Sequence, residues 1–357
     1  MGTKRFKSFP KIGQFRNIIQ AVASTTRYVG KDDDGEPIFD HTIPLPKLKF
    51  KGTTKLHGSN AGLIKIGDDY HCQSRSNCLN YPHSDNMQFG LMVHNLGPDI
   101  VNSLFNAIAP NAENLNVYGE ICGANIQKGV GITGLDRMFV IFAAKEEIDE
   151  ENANWLQVNP EVIKEFNQYG IYHIEQFPNS TYEVVVDFAN PELASIEFEK
   201  LTLKIEAECP VAKHFGVESG TGEGLVWVCW DPGWWSSGYW FKTKGTLHSA
   251  SKVKKVASVN PEKVASVIEF VNNTVTENRL EQGFQATLQL HNKIDMLTVK
   301  QTGDFIRWVM NDILSEESDT MAANGLTNKC IGGKVANKSK NWFFIRVNNQ
   351  MNDKLGV

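Results

Sequence analysis

The sequence predicts a mixed α+β fold, and two features of its hydrophobic pattern carry this prediction. Between about residues 45 and 245, short apolar runs with strand composition are separated by Gly, Asn and Pro. They include GLIKI, VYGEIC, RMFVIFAA, GLVWVCW and YWFKTK. Beyond residue 260, apolar residues recur instead at three- and four-residue spacing, which is typical of helices.

The helical part is predicted to start at Asn260-Pro261-Glu262, because Asn caps a helix and Pro suits its first turn. A second helix is predicted from Gly303 to Glu316, where one apolar stripe is formed by Phe305, Ile306, Val309, Met310, Ile313 and Leu314. We therefore expect a first domain over residues 1–257 and a helical C-terminal domain with a basic tail over residues 258–357.

Composition limits the classes of protein to consider. The chain has 357 residues, of which 41% are hydrophobic and 22% charged, as in ordinary globular proteins. No run approaches the roughly 18 apolar residues of a membrane helix, and the start MGTKRFKSFPK lacks a signal-peptide core. The six cysteines form no CxxC pair, so we expect reduced thiols. A cytoplasmic protein without a membrane segment is expected.

The net charge of −5 argues against a uniformly basic surface but not against a local basic groove. Positive residues concentrate before residue 17, between Lys242 and Lys255, and between Lys329 and Arg346. The last of these segments is also rich in aromatic residues. A nucleic-acid contact and a solvated strand pair are both compatible with it.

One ordered set of short motifs stands out. Lys-x-x-Gly alone is not specific, since it occurs seven times. Only at Lys55 does it open the string KLHGSN and precede, in order, SRS, YGEICG, VIF, EGLVWV and FKTKG.

This ordered set resembles the covalent nucleotidyltransferase superfamily of ligases and capping enzymes, and most closely the RNA ligase 2-type nick-sealing ligases of phages and their relatives. KLHGSN is similar to the family's Lys-x-His-Gly-x-Asn, and GEICGANIQKGV to its Gly-Glu strand followed by Ile-Gln-Lys. The resemblance implies an adenylyltransferase domain of antiparallel sheets and helices, followed by a small helical domain. It also implies an ATP-dependent RNA ligase, located in the host-cell cytoplasm if a phage encodes it.

The resemblance implies that Lys55 attacks ATP and carries AMP covalently. Its amine must be neutral to attack, whereas a free lysine has a pKa of about 10.4. We therefore expect nearby cations to lower the pKa of Lys55. Lys242 and Lys244 lie two residues apart on a presumed strand and face the same way. The resemblance makes them clamps for the ATP phosphates; the alternative is one solvated strand face.

The remaining nucleotide contacts are also implied by the resemblance. Arg75 would bind the ribose or α-phosphate, Glu120 the ribose hydroxyls, and Glu223 a Mg²⁺ or Mn²⁺ ion. Phe142 would stack on adenine, with Phe139 as the alternative. Each polar residue could instead be an ordinary surface residue. ATP and a divalent cation are the expected cofactors.

Nucleic-acid contacts are implied for Asn60 and Gln127, which could instead satisfy turns. In the C-terminal domain, TENRLEQGF and VMNDILSEE look like the family's end-recognition segments. They single out Arg279, Asp312 and Glu316, for which helix-surface salt bridges are the alternative. The expected partner is nicked double-stranded RNA or an RNA/DNA hybrid, bound by a monomer.

Two departures from the family concern the purine contacts. Thr54 stands where relatives commonly carry an acidic residue, and Ala143-Ala144 stands where they carry Phe-Asp. His57 is expected to be a structural residue beside a tight turn.

Three alternatives to the nick-sealing function stay open. A DNA ligase or a single-strand end-joining ligase would share the same chemistry. The helices predicted over residues 261–317 disfavour the DNA ligase, because such enzymes usually append a β-barrel. A non-catalytic binding module is the third alternative, since aromatic platforms such as WVCWDPGWWSSGYW bind sugars or unstacked bases.

Overall fold

The structure is a computed structural model that describes residues 5–149, 152–248, 267–291, 293 and 296–355. The predicted α+β class is confirmed. The strands, in chain order, are β1 Tyr28–Lys31, β2 Pro37–Phe39, β3 Lys47–Lys55, β4 Ser59–Ile66, β5 Asp69–Ser74, β6 Asn114–Cys122, β7 Met138–Glu147, β8 Ala153–Leu156, β9 Ile171–His173, β10 Thr181–Asp187, β11 Gly224–Cys229 and β12 Phe241–Lys244.

Helices precede, interrupt and follow the strands. They are α1 Phe15–Arg27, α2 Phe89–Ile108, α3 Pro160–Ile163, α4 Pro191–Ala207, α5 Pro210–His214, α6 Val267–Thr274, α7 Glu277–Leu290, α8 Thr302–Glu316, α9 Ser318–Ala323 and α10 Asn328–Leu355. Within the described ranges, no helix is both long enough and apolar enough to cross a membrane.

The first large sheet is antiparallel and has the strand order β10-β3-β11-β12. Along β3, buried residues alternate strictly with more exposed ones, because successive side chains of a strand point to opposite faces of the sheet. Leu48 and Phe50 are buried in a core shared with Trp227 and Phe241. The opposite face presents half-buried side chains from three strands to a cavity, namely those of Lys51, Thr53, Lys55, Val226, Val228 and Lys242. Lys244 shares this half-buried face of β12 but does not line the cavity.

The second large sheet has the order β5-β4-β6-β7-β8, all antiparallel, with β9 added parallel to β7. Helix α2 covers one face, where Phe89 packs on Phe139 with ring centroids 4.8 Å apart. A β-bulge interrupts β6 and β7: Tyr118 pairs with Ala143, whereas Gly119 pairs with Ile141. The intervening Phe142 is therefore the extra residue, and bulges commonly re-aim a side chain next to a site.

The helices from α6 to α10 share a separate apolar core built around Phe284, Phe305, Val309 and Phe343. The helix predicted from Gly303 to Glu316 is confirmed as α8. The predicted helix start at residues 260–262, the lysines at 252–255 and the boundary at residue 257 lie outside the described residues.

The C-terminal tail forms neither a strand pair nor an extended segment. It forms helix α10, in which residues at four-residue spacing are buried against the other helices: Ile331, Val335, Ser339, Phe343 and Val347. Lys329, Lys334 and Lys340 lie on its exposed side. The aromatic residues of the tail are thus partly used for packing, which the linear alternation of basic and aromatic residues did not reveal.

Candidate active site

A cavity of about 660 Å³ lies between the two large sheets. Its lining comes from β3, β11 and β12 on one side and from β6 and β7 on the other. The segment Phe9 to Ile12 and two residues of α8, Asp312 and Glu316, also contribute to it. Most of the residues predicted to bind ATP line this cavity.

Strand register brings the central residues together. Strand β11 pairs with both β3 and β12, so that Gly224 lies opposite Lys55 on one side and Lys244 on the other. Glu223, directly before β11, therefore lies between the two lysines. Its Oε2 is 2.6 Å from Lys55 Nζ, and its Oε1 is 2.8 Å from Lys244 Nζ. The carboxylate is almost fully buried, at 2% exposure.

The protonation states of these groups follow from burial and charge. Burial raises the pKa of Glu223, but Lys244 and Lys55 outweigh it and hold that pKa well below its usual range. Burial lowers the pKa of Lys55, but Glu223 and Glu120 outweigh it, so the net shift is upward. The expectation of a lowered pKa for Lys55 is wrong for this arrangement. The pKa of Lys244 is lowered instead, by burial first and then by the neighbouring Lys55 and Lys242 against the attraction of Glu223.

The glycine of the KLHG motif is required by a close approach. A Cβ at residue 58 would lie 2.3 Å from the carbonyl oxygen of Ile121, so the turn after β3 can contact β6 only without a side chain. At this contact Gly58 N donates to Glu120 Oε1 over 2.9 Å. Burial raises the pKa of Glu120 to about 7.

His57 lies in the site as well as beside the turn. Its Nδ1 is 3.4 Å from Glu223 Oε2, and its ring centroid is 5.7 Å from that of His248. This contact with a buried carboxylate is compatible with the structural role expected for His57, which stays a prediction.

The other predicted nucleotide contacts are placed along the cavity wall. Arg75, Asn60 and Phe142 all line it. The Arg75 guanidinium donates from Nη1 to the carbonyl oxygen of Phe9 over 2.7 Å. Phe139, the alternative stacking residue, is 1% exposed and lies in the core under α2 instead.

Lys242 faces the helical part of the protein. Its Nζ lies 3.0 Å from Glu316 Oε1. Gln14 Nε2 donates to the other carboxylate oxygen of Glu316 over 2.6 Å. Asp312 and Glu316 were predicted to contact nucleic acid away from ATP, but the structure places both on the lining of the same cavity.

Two predicted nucleic-acid residues lie in positions that favour a structural role. Arg279 has no exposed surface, and its guanidinium donates to Asp312 at 2.8 Å, Glu317 at 3.3 Å and the carbonyl oxygen of Thr274 at 2.5 Å. A nucleic-acid contact by Arg279 is incompatible with this burial. Gln127 is 7% exposed and donates to the carbonyl oxygen of Gly58 over 3.3 Å.

Several cavity residues were not predicted. At the end far from Lys55, the lining includes Lys51, His173, Glu175, Trp230 and Trp235. Because side chains on one face of a strand recur every second residue, counting back from Lys55 through Thr53 to Lys51 could have found Lys51. No linear signal brings His173 or Glu175 to the cavity. The tryptophans of the run from residue 227 to 240 lie in two environments. Trp227 and Trp240 are buried, whereas Trp230 and Trp235 are half-buried at the cavity.

The residues fit a divalent cation only in combination with a nucleotide. No group of three or more His, Cys, Asp or Glu residues suited to a metal ion occurs in the described part of the chain. Mg²⁺ is usually bound by one or two carboxylates together with substrate phosphates. Glu223, between the two lysines, is a carboxylate suited to that arrangement.

Comparisons with known proteins identify a family. The RNA ligase family model matches residues 49–244, which is more than half of the chain and spans Lys55 to Lys244. No curated protein sequence matches. Among solved structures, the Naegleria gruberi RNA ligase with pyrophosphate matches with TM-score 0.41 and 17% identity over 69% of this chain and 58% of that one. A lysine-to-methionine variant of the same ligase, with AMP and manganese, matches with TM-score 0.43 and 16% identity over the same shares.

The chain thus spans less than two thirds of those ligases, and its function has to be argued from its own residues. The family match, in contrast, includes Lys55, Glu120, Phe142 and Lys244. The chain belongs to the RNA ligase family.

Proposed function

We propose that the protein is an ATP-dependent RNA ligase that carries AMP on Lys55 and seals 3′-hydroxyl/5′-phosphate nicks in RNA or RNA-containing duplexes. One observation supports this most directly. The Lys55 amine lies on the lining of a cavity of about 660 Å³, in contact with a buried carboxylate that also binds Lys244. A lysine on the lining of such a cavity is placed to act as a nucleophile once its ammonium has lost a proton.

In this proposal ATP lies along the cavity with its phosphates at the Lys55 end. Lys242 and Lys244 bind the phosphates, Glu120 the ribose, and the Phe142 ring the adenine, whose face suits aromatic stacking. Glu223 would hold a Mg²⁺ or Mn²⁺ ion together with phosphate oxygens, and this ion would supply charge neutralisation there.

The chemistry then has three phosphoryl transfers. Lys55 Nζ attacks the α-phosphorus and pyrophosphate leaves; the 5′-phosphate of the nick takes AMP from Lys55; the 3′-hydroxyl displaces AMP and forms the phosphodiester. Before the first transfer, the Lys55 amine must lose a proton. Because the contact with Glu223 favours the charged form of Lys55, this contact has to weaken before Lys55 can release its proton to solvent and attack.

We further propose a division of labour between two domains of one monomer. Residues 1–257 would form the adenylate, and residues 258–357 would position the nick. Asp312 and Glu316 support this second role, because both reach the cavity from α8. Arg279 would act through Asp312, to which it is bonded, and not by touching nucleic acid.

Labelling with ATP tests the first step. The full-length protein, incubated with ATP carrying ³²P at the α-phosphate and with magnesium, should become covalently labelled. Lys55→Ala should abolish the label, and so should Lys55→Arg, because a guanidinium stays protonated at neutral pH. Lys49→Ala is the matched control: it removes another lysine of a Lys-x-x-Gly string from the same strand, but one that is exposed and does not line the cavity. Label on Lys55→Ala would contradict the assignment.

A panel of nicked duplexes tests the substrate. Nicked duplexes that contain RNA should be sealed efficiently, whereas nicked duplexes made only of DNA should be sealed poorly. Efficient sealing of all-DNA nicks, or of single-stranded ends alone, would favour the DNA ligase or the end-joining alternative. Labelling without any sealing would indicate an adenylyltransferase that passes AMP to an acceptor other than a nicked duplex.

A further inference from the structure

We propose that Glu175 is a specificity-determining residue of this enzyme, which accepts a hydrogen bond from the exocyclic amino group of adenine with the support of Lys51. This inference rests on the proposed function, since it requires ATP to lie along the cavity with its phosphates at Lys55. It assigns a role to the end of the cavity opposite the catalytic lysines.

Strands β3 and β11 form the floor of the cavity, and the floor therefore runs along the direction of β3. Lys51, Thr53 and Lys55 share one face of β3, so Lys51 lies about 13 Å from Lys55 along the strand. Val226 and Val228 run alongside, paired with Thr53 and Lys51. A nucleotide anchored at Lys55 therefore extends its base toward Lys51.

Among the described residues, four carboxylates line the cavity, and three of them have partners other than Lys51. Glu120 accepts from Gly58 N, Glu316 contacts Lys242, and Asp312 contacts Arg279. Glu175 alone among these four lies at the base end, where it forms an ion pair with Lys51.

The position of Glu175 is fixed by its neighbours. Lys51 Nζ lies 4.5 Å from the ring centroid of Trp230, which fixes the cationic partner of Glu175. The backbone N–H of Glu175 donates to His173 Nδ1 over 3.3 Å. The side chains of Lys51 and Glu175 are only 18% and 23% exposed. A polar pair so largely removed from solvent can discriminate between hydrogen-bonding partners.

No carboxylate is available from β3 itself at this place. Residue 54 is threonine, and its hydroxyl donates to the carbonyl oxygen of Ser180 over 3.2 Å. Its side chain is 3% exposed. Glu175, in the short 3-10 turn directly after β9, provides the hydrogen-bond acceptor that β3 lacks.

The chemistry of the pair suits the edge of adenine. The amino group is a donor and the adjacent ring nitrogen is an acceptor, so a carboxylate and an ammonium side by side satisfy both. A purine without the amino group leaves Glu175 without that partner. Unpaired polar groups in such a site cost more than a poor fit of apolar groups.

The test compares ATP with purine riboside triphosphate, which has the same ring without the amino group. The quantity measured is the ratio of the initial rates of Lys55 labelling from the two triphosphates at concentrations well below saturation. For the full-length wild-type protein we expect a preference for ATP of about tenfold or more, as for a hydrogen bond to a charged group. In Glu175→Ala the preference should fall to within about twofold. In Glu175→Gln it should be intermediate, because the amide keeps an acceptor oxygen.

Because the ratio compares two substrates of one protein sample, partial loss of folded Glu175→Ala does not alter it. Glu208→Gln is the matched control and should keep the wild-type ratio, since Glu208 forms a surface ion pair with Lys213. A wild-type preference retained in Glu175→Ala, or no preference in the wild type, overturns the role of Glu175. If the wild type takes no label from either triphosphate, the proposed ATP chemistry is itself wrong and the role of Glu175 falls with it.

Discussion

Lys242 on β12 and Glu316 at the end of α8 form an ion pair of 3.0 Å that joins the cavity floor to the helical part of the protein. The Glu316 side chain is 6% exposed and is also bonded by Gln14. A carboxylate thus lies on the lysine that is proposed to bind ATP phosphates. Nucleotide binding and the docking of α8 are therefore expected to compete for Lys242.

This competition predicts that Glu316→Gln strengthens ATP binding. Removing the negative charge should lower the ATP concentration for half-maximal labelling about fivefold, the equivalent of roughly 1 kcal/mol for one ion pair. Nick sealing should fall, because α8 would dock less firmly. Asp304→Asn on the same helix, away from the cavity, is the control. A higher ATP requirement in Glu316→Gln would show that the carboxylate assists ATP binding.

Gly58→Ala should disable the site through packing. The new methyl group would lie 2.3 Å from a backbone oxygen, and relief of such a clash typically costs about 1–3 kcal/mol. Displacement of the turn also breaks the hydrogen bond from Gly58 to Glu120. We expect a lower melting temperature and at least a tenfold loss of labelling. Gly134→Ala, which meets open space, should change neither quantity; unaltered labelling in Gly58→Ala would mean that Glu120 does not need this turn.

Arg279→Ala should destabilise the helical part. The substitution removes a guanidinium from the partly buried carboxylate of Asp312 and from the buried carboxylate of Glu317, which keeps its ion pair with Arg16 at 3.5 Å. Losing one partner of a buried ion pair costs about 3–5 kcal/mol, which urea denaturation can measure. Arg307→Ala, which removes an exposed ion pair with Asp304 on α8, should cost less than about 1 kcal/mol. If Arg279→Ala reduced sealing at unchanged stability, a direct contact with nucleic acid would have to be reconsidered.

His173 should make stability depend on pH. Burial, and next the charge of Lys51, lower its pKa from 6.5 to about 4, so the folded protein holds the neutral ring while the unfolded chain binds a proton. Stability is therefore greatest above pH 6.5 and falls as the pH drops toward 4. From pH 7 to pH 5 this one group should cost roughly 2 kcal/mol of unfolding free energy.

The measurement is the difference in unfolding free energy between pH 7 and pH 5, compared between wild type and His173→Gln. Between pH 7 and pH 5, the unfolding free energy of His173→Gln should fall by roughly 2 kcal/mol less than that of the wild type. His83→Gln at an exposed position should behave as the wild type. An equal loss in wild type and His173→Gln would mean that His173 titrates normally in the folded protein.

Much of the site follows from the linear sequence because strands impose a period of two. The spacing of Lys242 and Lys244 placed both on one face, and they do share the half-buried face of β12. The apolar stripe from Phe305 to Leu314 likewise predicted α8. Such predictions succeed where a local repeat determines which side chains point the same way.

Pairings between distant elements could not be predicted in this way. The contact of Lys55 with Glu223 joins residues 168 positions apart, and that of Lys242 with Glu316 spans 74. Whether an ammonium faces a carboxylate or another ammonium sets the direction of its pKa shift. The upward shift of the pKa of Lys55 therefore depends on strand register and could not be inferred from the motif.

The sequence by itself determined the α+β class, the helical C-terminal part and the residue types available for nucleotide chemistry, because these depend on periodicity and composition. Only the tertiary structure decided that Arg279 is a buried structural cation, that Phe142 rather than Phe139 lines the cavity, and that Glu175 lies at its far end. The physical reason is that burial and electrostatic partners are properties of packed surfaces, which bring together side chains that no local spacing relates.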